Sequence, residues 1–152
     1  MPDGKTRRKF PSSREILQLL DANLNRASEG LRVCEETARF LLKDALLTRR
    51  CQRIRYELRK TAVSFPKAEL LRSRDSARDV GRPLLRGRPS THRVVVNLVL
   101  ANFQRVQEAL RVLEEFSRIF SAGQAVSWGS LRFRVYRLEK DLISKLSALR
   151  HR

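Results

Sequence analysis

The spacing of hydrophobic residues predicts two long amphipathic helices. Apolar side chains recur at alternating steps of three and four, which is the spacing of one buried stripe on a helix. The first stripe consists of Leu17, Leu20, Leu24, Ala27, Leu31, Cys34, Ala38 and Leu41. The second consists of Val99, Phe103, Val106, Leu110, Leu113, Ser117 and Phe120. We expect the first helix to run from the Ser12–Glu15 capping box to about Lys43, and the other from near Thr91 to about Phe120.

A further helix is expected after each long one. The first begins at Asp44 or Thr48, carries apolar residues from Cys51 to Val63, and ends at Phe65-Pro66, because the residue before a proline disfavours helical backbone. The last begins at Ser127 or Ser130, after the predicted stop at residues 121–123. Its apolar positions are Leu131, Val135, Leu138, Leu142 and Leu146. A short helix is expected over residues 67–73, and no segment has a strand pattern.

The chain contains an internal repeat. Residues 22–41 align with residues 101–120, and half of these positions are identical. Tyr56 and Leu58 match Tyr136 and Leu138 in the following helices. These matches predict an all-α helical bundle of two internally repeated long-helix hairpins with pseudo-two-fold symmetry.

The length of 152 residues suits a single domain with a substantial core. Residues 1–11 are expected to be a flexible basic arm, and residues 12–150 a single all-α domain. Within it, repeat 1 covers about 12–65, a connecting loop about 66–91, and repeat 2 about 92–150. Residues 74–91 contain two Gly and two Pro, and a connection of this length is usually functional or mobile.

Charge and composition narrow the possible functions. Lys and Arg number 33 against 16 Asp and Glu, so the net charge of +17 favours anionic ligands. No apolar run is long enough to span a membrane, and there is no signal peptide, so a cytoplasmic protein is expected. Cys34 and Cys51 are expected to be reduced thiols, with Cys34 in the core. The isolated His92 and His151 suggest no zinc site.

Polar residues repeat beside the apolar stripes. The first set is Asn23, Arg26, Glu29 and Arg32, and its counterpart is Asn102, Arg105, Glu108 and Arg111. One interpretation is a solvated ladder of ion pairs, each worth about 0.2–0.5 kcal/mol. The other is a shared polar site, in which paired arginines bind phosphate and carboxylates orient them or bind a metal. The second is favoured because both copies keep Arg and Glu, not merely the charge.

Three aspartates stand apart from the repeat. Asp21 aligns with Leu100, so it is a candidate for a directional role as a base or Mg²⁺ ligand, or else a polar residue that faces water. Asp75 and Asp79 are the only acids of the 74–91 connection, among several arginines. They are candidate metal ligands or a base beside a phosphate, or else part of a charge-balanced surface loop.

The chain resembles the helical domain that is often fused in front of thiamine-phosphate synthase. That domain is described as a monofunctional hydroxymethylpyrimidine-phosphate kinase. The resemblance rests on three segments in this order, residues 21–35, 74–81 and 101–115. The resemblance implies ATP- and Mg²⁺-dependent phosphorylation of 4-amino-5-hydroxymethyl-2-methylpyrimidine phosphate to the diphosphate. The resemblance implies site positions at Asn23, Arg26, Glu29 and Arg32, at Asn102, Arg105, Glu108 and Arg111, and in the loop Asp79, Val80 and Gly81. With the residues considered above, the candidate catalytic residues are Asp21, Arg32 and Arg111. The candidate substrate- and phosphate-binding residues are Asn23, Asn25, Arg26, Glu29, Asn102, Arg105, Glu108, Arg74, Asp79 and Gly81. Asp75 and Asp79 are the candidate Mg²⁺ ligands, and Arg82 replaces the small hydroxyl residue usual in the family.

Several alternatives remain open at the level of sequence. Thiamine-phosphate synthase is a possible partner, and the long striped helices make a homodimer plausible. The chain could instead be a basic nucleic-acid-binding module, with contacts from Lys5–Lys9 and Arg72–Arg93, or a regulatory interaction module without catalysis. Neither a P-loop nor a Gly-x-Gly-x-x-Gly motif is present, so any nucleotide site would be of an unusual kind.

Overall fold

The structure is a computed structural model that describes residues 13–82 and 94–149. The predicted arm at 1–11, residues 83–91 of the predicted loop, His92 and His151 lie outside these ranges. The helices are α1 (Ser13–Glu36), which continues as a π-helical segment (Thr37–Leu41), α2 (Ala45–Ala62), α3 (Lys67–Ser73), α4 (Val95–Ser117) and α5 (Ala122–Ala148). The described residues contain no strand, so the all-α prediction is confirmed.

The helices pack as two hairpins that face each other. α1 contacts α2, and α4 contacts α5, while α1 also lies against α4 and α2 against α5. The short α3 packs on α1, and the loop that follows it therefore starts beside the first long helix. The pseudo-two-fold relation between the hairpins stays a prediction.

The predicted stripes form the core. Leu20, Ala27, Leu31, Cys34 and Ala38 of the first stripe are fully buried. Every residue from Val99 to Ser117 in the second stripe is also buried, as are the five apolar positions predicted for the last helix. Among the described residues, no helix is both long and apolar enough to cross a membrane.

The end of the first long helix differs from the prediction. The helical run ends at Leu41, and its last turn is a π-helix in which the Leu42 N–H donates to the Thr37 carbonyl at 3.0 Å. The wider turn rotates later side chains away from the stripe. Leu41 is therefore 52% exposed, and the expectation that it belongs to the core was wrong.

Other helix ends also need correction. α4 begins at Val95 and ends at Ser117, so it is shorter at both ends than predicted, and Phe120 lies beyond it and is half exposed. α5 begins at Ala122, well before the predicted Ser127 or Ser130, and Gly123 lies within its first turn. α2 ends at Ala62, so Val63 is exposed rather than part of its apolar face.

Candidate functional site

Two adjoining clefts lie along α1. The first, which we name the interhelix cleft, opens between α1 and α4 and has a volume of about 740 Å³. Its polar lining consists of Asn23, Arg26, Glu29, Asn102, Arg105 and Glu108. Three of the four repeated polar pairs thus share one cleft, as the internal repeat suggested.

The two asparagines of this cleft are held in the same way. The Asn23 side-chain amide donates to the Leu19 carbonyl at 2.9 Å, and the Asn102 amide donates to the Leu98 carbonyl at 2.9 Å. Each amide thereby uses one hydrogen on its own helix one turn earlier and keeps its oxygen as an acceptor. These two equivalent hydrogen bonds explain why asparagine, a poor helix former, occurs at matching positions in α1 and α4.

Small residues let α1 and α4 approach closely at this cleft. A Cβ atom on Gly30 would lie 2.6 Å from Val106 Cγ2 and 3.0 Å from the Asn102 carbonyl oxygen. Gly30 and Ala109, its counterpart in the repeat, both line the cleft. The space for a ligand therefore depends on the absence of larger side chains at these two positions.

The second cleft, which we name the loop cleft, lies between α1 and the segment after α3 and has a volume of about 680 Å³. The residues predicted from sequence that line it are Asp21, Asn23, Asn25, Arg26, Arg74, Asp75 and Asp79. Asn23, Arg26 and Val112 line both clefts, so the two form one continuous groove.

Asp21 and Arg74 connect the loop to α1. Arg74 Nε donates to Asp21 Oδ2 at 2.7 Å and a terminal guanidinium nitrogen donates to Oδ1 at 2.9 Å, which is a two-pronged ion pair. Asp21 is almost buried, whereas the Arg74 side chain is 46% exposed. The hydrogen bonds to Asp21 raise the pKa of Arg74. Asp21 therefore has a structural partner that sequence reasoning did not identify.

The loop acids form short turns. The Arg78 N–H donates to Asp75 Oδ1 at 3.3 Å, and the Gly81 N–H donates to Asp79 Oδ1 at 2.9 Å. Both carboxylates line the loop cleft, whereas Gly81 does not. Among the described residues, no three His, Cys, Asp or Glu side chains gather into a metal site.

Arg32 and Arg111 lie outside the lining of both clefts. Arg32 pairs with Glu36 at 2.7 Å, and Arg111 pairs with Glu115 at 2.7 Å. These are the ion pairs of the ladder interpretation, and both arginine side chains are about half exposed. The structure thus separates this fourth pair from the other three, and its catalytic role stays a prediction.

A charged network, buried at Glu35 and largely buried at Glu114, lies behind each of these arginines. Glu35 is buried and accepts from Arg55 of α2, and Glu114 accepts from Arg132 of α5 at 3.0 Å. Both networks join the two helices of one hairpin. The repeated glutamates Glu35 and Glu114 are accordingly structural, which accounts for part of the identity between the repeats.

Several groove residues were missed from sequence. Val33 and Val112 are identical in the repeat and both line the interhelix cleft. Phe116 lines the loop cleft, as does Arg78, one of the arginines that the sequence places beside the two loop aspartates. The repeat contained the signal for the two valines, but neither lies on the predicted apolar stripes and no role was assigned to them.

The cysteines take no part in the groove. Cys34 and Cys51 are free and fully buried. Burial raises the pKa of both thiols, that of Cys51 to about 12. Both are protonated at neutral pH, which is the expected state of core cysteines.

Comparison with known proteins identifies relatives of the chain. The model of the ThiD2 family matches residues 18–141. A thiamine-phosphate synthase of Nostoc punctiforme is 41% identical over 84% of this chain and 35% of its own length. Those of Synechocystis sp. and Rhodopirellula baltica are 41% and 36% identical over 86% and 92% of this chain, and each match covers 37% of the relative. The chain thus spans about a third of the length of these relatives, and no solved structure is significantly similar to it.

Proposed function

The chain belongs to the ThiD2 family, and from this we propose that it is a kinase that transfers a phosphoryl group from ATP to 4-amino-5-hydroxymethyl-2-methylpyrimidine phosphate. The product would be the pyrimidine diphosphate, an intermediate of thiamine biosynthesis. The relatives named thiamine-phosphate synthase support the pathway. The kinase reaction itself rests on the resemblance of the three sequence motifs and on the chemistry of the groove.

The observation that carries the proposal is a single groove, which has the paired polar residues of the repeat at one end and arginines together with the two loop aspartates at the other. Arg26 and Arg105 in the interhelix cleft supply cationic forks of the kind that bind phosphate. Glu29 and Glu108 in the same cleft would repel a bare phosphate, so they favour a ligand that also donates hydrogen bonds. An aminopyrimidine phosphate has both an amino donor and a phosphate.

The proposed reaction needs little from the protein in the way of proton transfer. An oxygen of the substrate monophosphate forms a bond to the terminal phosphorus of ATP, and the bond from that phosphorus to the bridging oxygen breaks, with its electron pair leaving on ADP. The second pKa of a phosphate monoester is about 6, so this oxygen is already deprotonated at neutral pH. A general base is therefore unnecessary, which agrees with the engagement of Asp21 by Arg74.

The protein would accelerate the transfer by orienting ATP and the substrate monophosphate and by neutralising the negative charge of their phosphates. Phosphoryl transfer depends on in-line positioning and on cations around the transferred group. Arginines are present in both clefts. Asp75 and Asp79 fit Mg²⁺, because this ion is usually held by one or two carboxylates together with substrate phosphates rather than by an all-protein cage. When bound, Mg²⁺ would neutralise phosphate charge.

The test is an assay of the purified protein with ATP and Mg²⁺, supplied with either hydroxymethylpyrimidine or its monophosphate. We expect the diphosphate from the monophosphate alone, detected by phosphorus NMR. Arg105→Gln should lower kcat/KM about 10- to 100-fold, because a hydrogen bond to a charged group is lost. Arg59→Gln, an exposed arginine of α2 outside both clefts, is the matched control. A folded wild-type protein without turnover would refute the kinase proposal.

A further inference from the structure

Arg26 occupies a special position in the groove. Among the described residues, Asn23, Arg26 and Val112 line both clefts, and of these three only Arg26 is charged. Its side chain is exposed to the groove rather than buried in the helix contact. An arginine can present two edges of its guanidinium group to two different anions. Arg26 is therefore placed to contact ligands in both clefts at once.

The repeat provides a direct comparison. Arg105 is the counterpart of Arg26, yet it lines the interhelix cleft and not the loop cleft. The difference arises because the segment after α3 is fixed to α1 by the ion pair between Arg74 and Asp21, and position 100, the counterpart of Asp21, is a leucine. In the part of the chain that the structure describes, Arg26 thus has a second cleft beside it and Arg105 does not.

The two clefts differ in chemistry. The interhelix cleft contains the amides and carboxylates of both repeats, which can donate to and accept from a heterocycle with an amino group. The loop cleft contains Arg78 and the two loop aspartates, which suits a polyphosphate with its divalent ion, and it has apolar surface from Leu19, Val80 and Phe116. A nucleotide base could lie against that apolar surface.

On the basis of the proposed function, we propose that the nucleotide binds in the loop cleft, that the pyrimidine monophosphate binds in the interhelix cleft, and that Arg26 bridges the two phosphate groups that react. Arg26 then touches the transferred phosphoryl group and also the bridging oxygen that stays on ADP, whereas Arg105 holds only the substrate monophosphate. As the bond to the ADP oxygen breaks and the new oxygen–phosphorus bond forms, negative charge spreads over the group between the clefts. A cation there stabilises this charge without moving.

The experiment compares three glutamine variants kinetically. Arg26→Gln should lower kcat about 10²- to 10³-fold, the usual loss when a transition-state donor is removed. Arg105→Gln should raise KM for the monophosphate with little change in kcat. Arg78→Gln should raise KM for ATP alone. Circular dichroism and thermal melting of each variant establish that it is folded.

A binding measurement separates the proposal from a general effect on activity. ADP is unreactive, so its affinity can be measured by calorimetry without turnover. Arg26→Gln and Arg78→Gln should weaken ADP binding, whereas Arg105→Gln should leave it unchanged. If Arg26→Gln and Arg105→Gln give the same kinetic pattern and neither affects ADP, the division of the groove is wrong.

Failure of this inference differs from failure of the proposed function. A wild-type protein that neither turns over the monophosphate nor binds ADP overturns both. A wild-type protein that is active, but in which the two repeat-related arginines are equivalent, overturns only the assignment of the clefts. The Arg59→Gln control should match wild type in either case.

Discussion

Asp44 shows how one residue defines the start of a helix. It precedes α2 with extended backbone, and its Oδ1 accepts from the Leu47 N–H at 2.8 Å. Its other oxygen pairs with Lys145 of α5. The Leu47 amide first, and then Lys145, lower the pKa of Asp44 below its ordinary value. The carboxylate thus caps α2 and also connects it to the second hairpin.

We predict that Asp44→Ala lowers the free energy of unfolding by about 0.5–2 kcal/mol near pH 7. Asp44→Asn should lose less, because asparagine can still cap the helix but cannot pair with Lys145. Since the folded pKa is lowered, the charge contributes stability above the unfolded pKa of 3.8, and this contribution is lost as pH falls through the folded value. Urea unfolding of the three proteins at neutral and strongly acidic pH tests this. If the difference in the free energy of unfolding between wild type and Asp44→Asn were as large at strongly acidic pH as at neutral pH, the charge of Asp44 would not contribute this stability.

Sequence reasoning reached Asp44 only as one of two alternatives. The other, Thr48, lies inside α2, where its hydroxyl donates to the Asp44 carbonyl at 2.7 Å. Both residue types favour helix starts, so composition alone does not separate them. The choice depends on Lys43, whose positive φ of 51° turns the chain immediately before Asp44. A lysine gives no sequence signal for such a backbone angle.

At the scale of elements, Gly30 controls the contact between α1 and α4. We predict that Gly30→Ala destabilises the fold by about 1–3 kcal/mol, because its methyl group would meet the stiff side chain of Val106 and the Asn102 backbone. The displacement should also alter the interhelix cleft, so KM for the monophosphate should rise. Thermal unfolding and steady-state kinetics of the variant measure the two effects separately.

Gly123 provides the matched control within α5. A Cβ there would meet nothing closer than Ser121 Oγ at 3.7 Å, which is ordinary contact. Gly123→Ala should therefore be neutral or stabilising by up to about 1 kcal/mol, since alanine favours the helix. If both glycine variants were equally stable, close packing at Gly30 would not determine the helix contact.

The helices themselves were predictable, but several ends were not. The spacing of apolar residues identified all four long helices and the face that each buries, because the three-and-four pattern persists over many turns. The π-helical turn at Thr37–Leu41 was not predictable from that pattern, because Leu41 continues the apolar spacing and yet is exposed. The early start of α5 was missed since Gly123 was taken as a stop signal, although glycine is tolerated in a first helical turn.

For the whole molecule, the repeat indicated which polar residues meet, and it did so correctly for three of four pairs. It could not distinguish residues that line the groove from residues that form ion pairs along one helix, so Arg32 and Arg111 were expected in the groove but instead pair along their own helices. The contact between Asp21 and Arg74 joins residues far apart in sequence and follows no periodicity. Such contacts depend on how α3 packs against α1, which sequence spacing does not specify.

The net charge of +17 makes non-specific attraction to polyanions a property of the whole chain, and it must be separated from binding in the groove. Multiple phosphate contacts release counterions, so binding of a generic oligonucleotide should fall steeply, by about 10³-fold or more between 50 and 200 mM salt if six or more contacts form. ADP makes few contacts, and its affinity should fall far less.

Arg26→Gln should therefore weaken ADP binding and leave oligonucleotide binding almost unchanged, because one charge of 33 contributes little to a distributed attraction. Fluorescence anisotropy of a labelled oligonucleotide and calorimetry of ADP, each across the same salt series, measure both. Equal salt dependence for the two ligands, with Arg26→Gln weakening both alike, would mean that the groove is part of a general polyanion surface. The basic nucleic-acid-binding module would then be the better description, since a specific nucleotide cleft requires that the two ligands respond differently.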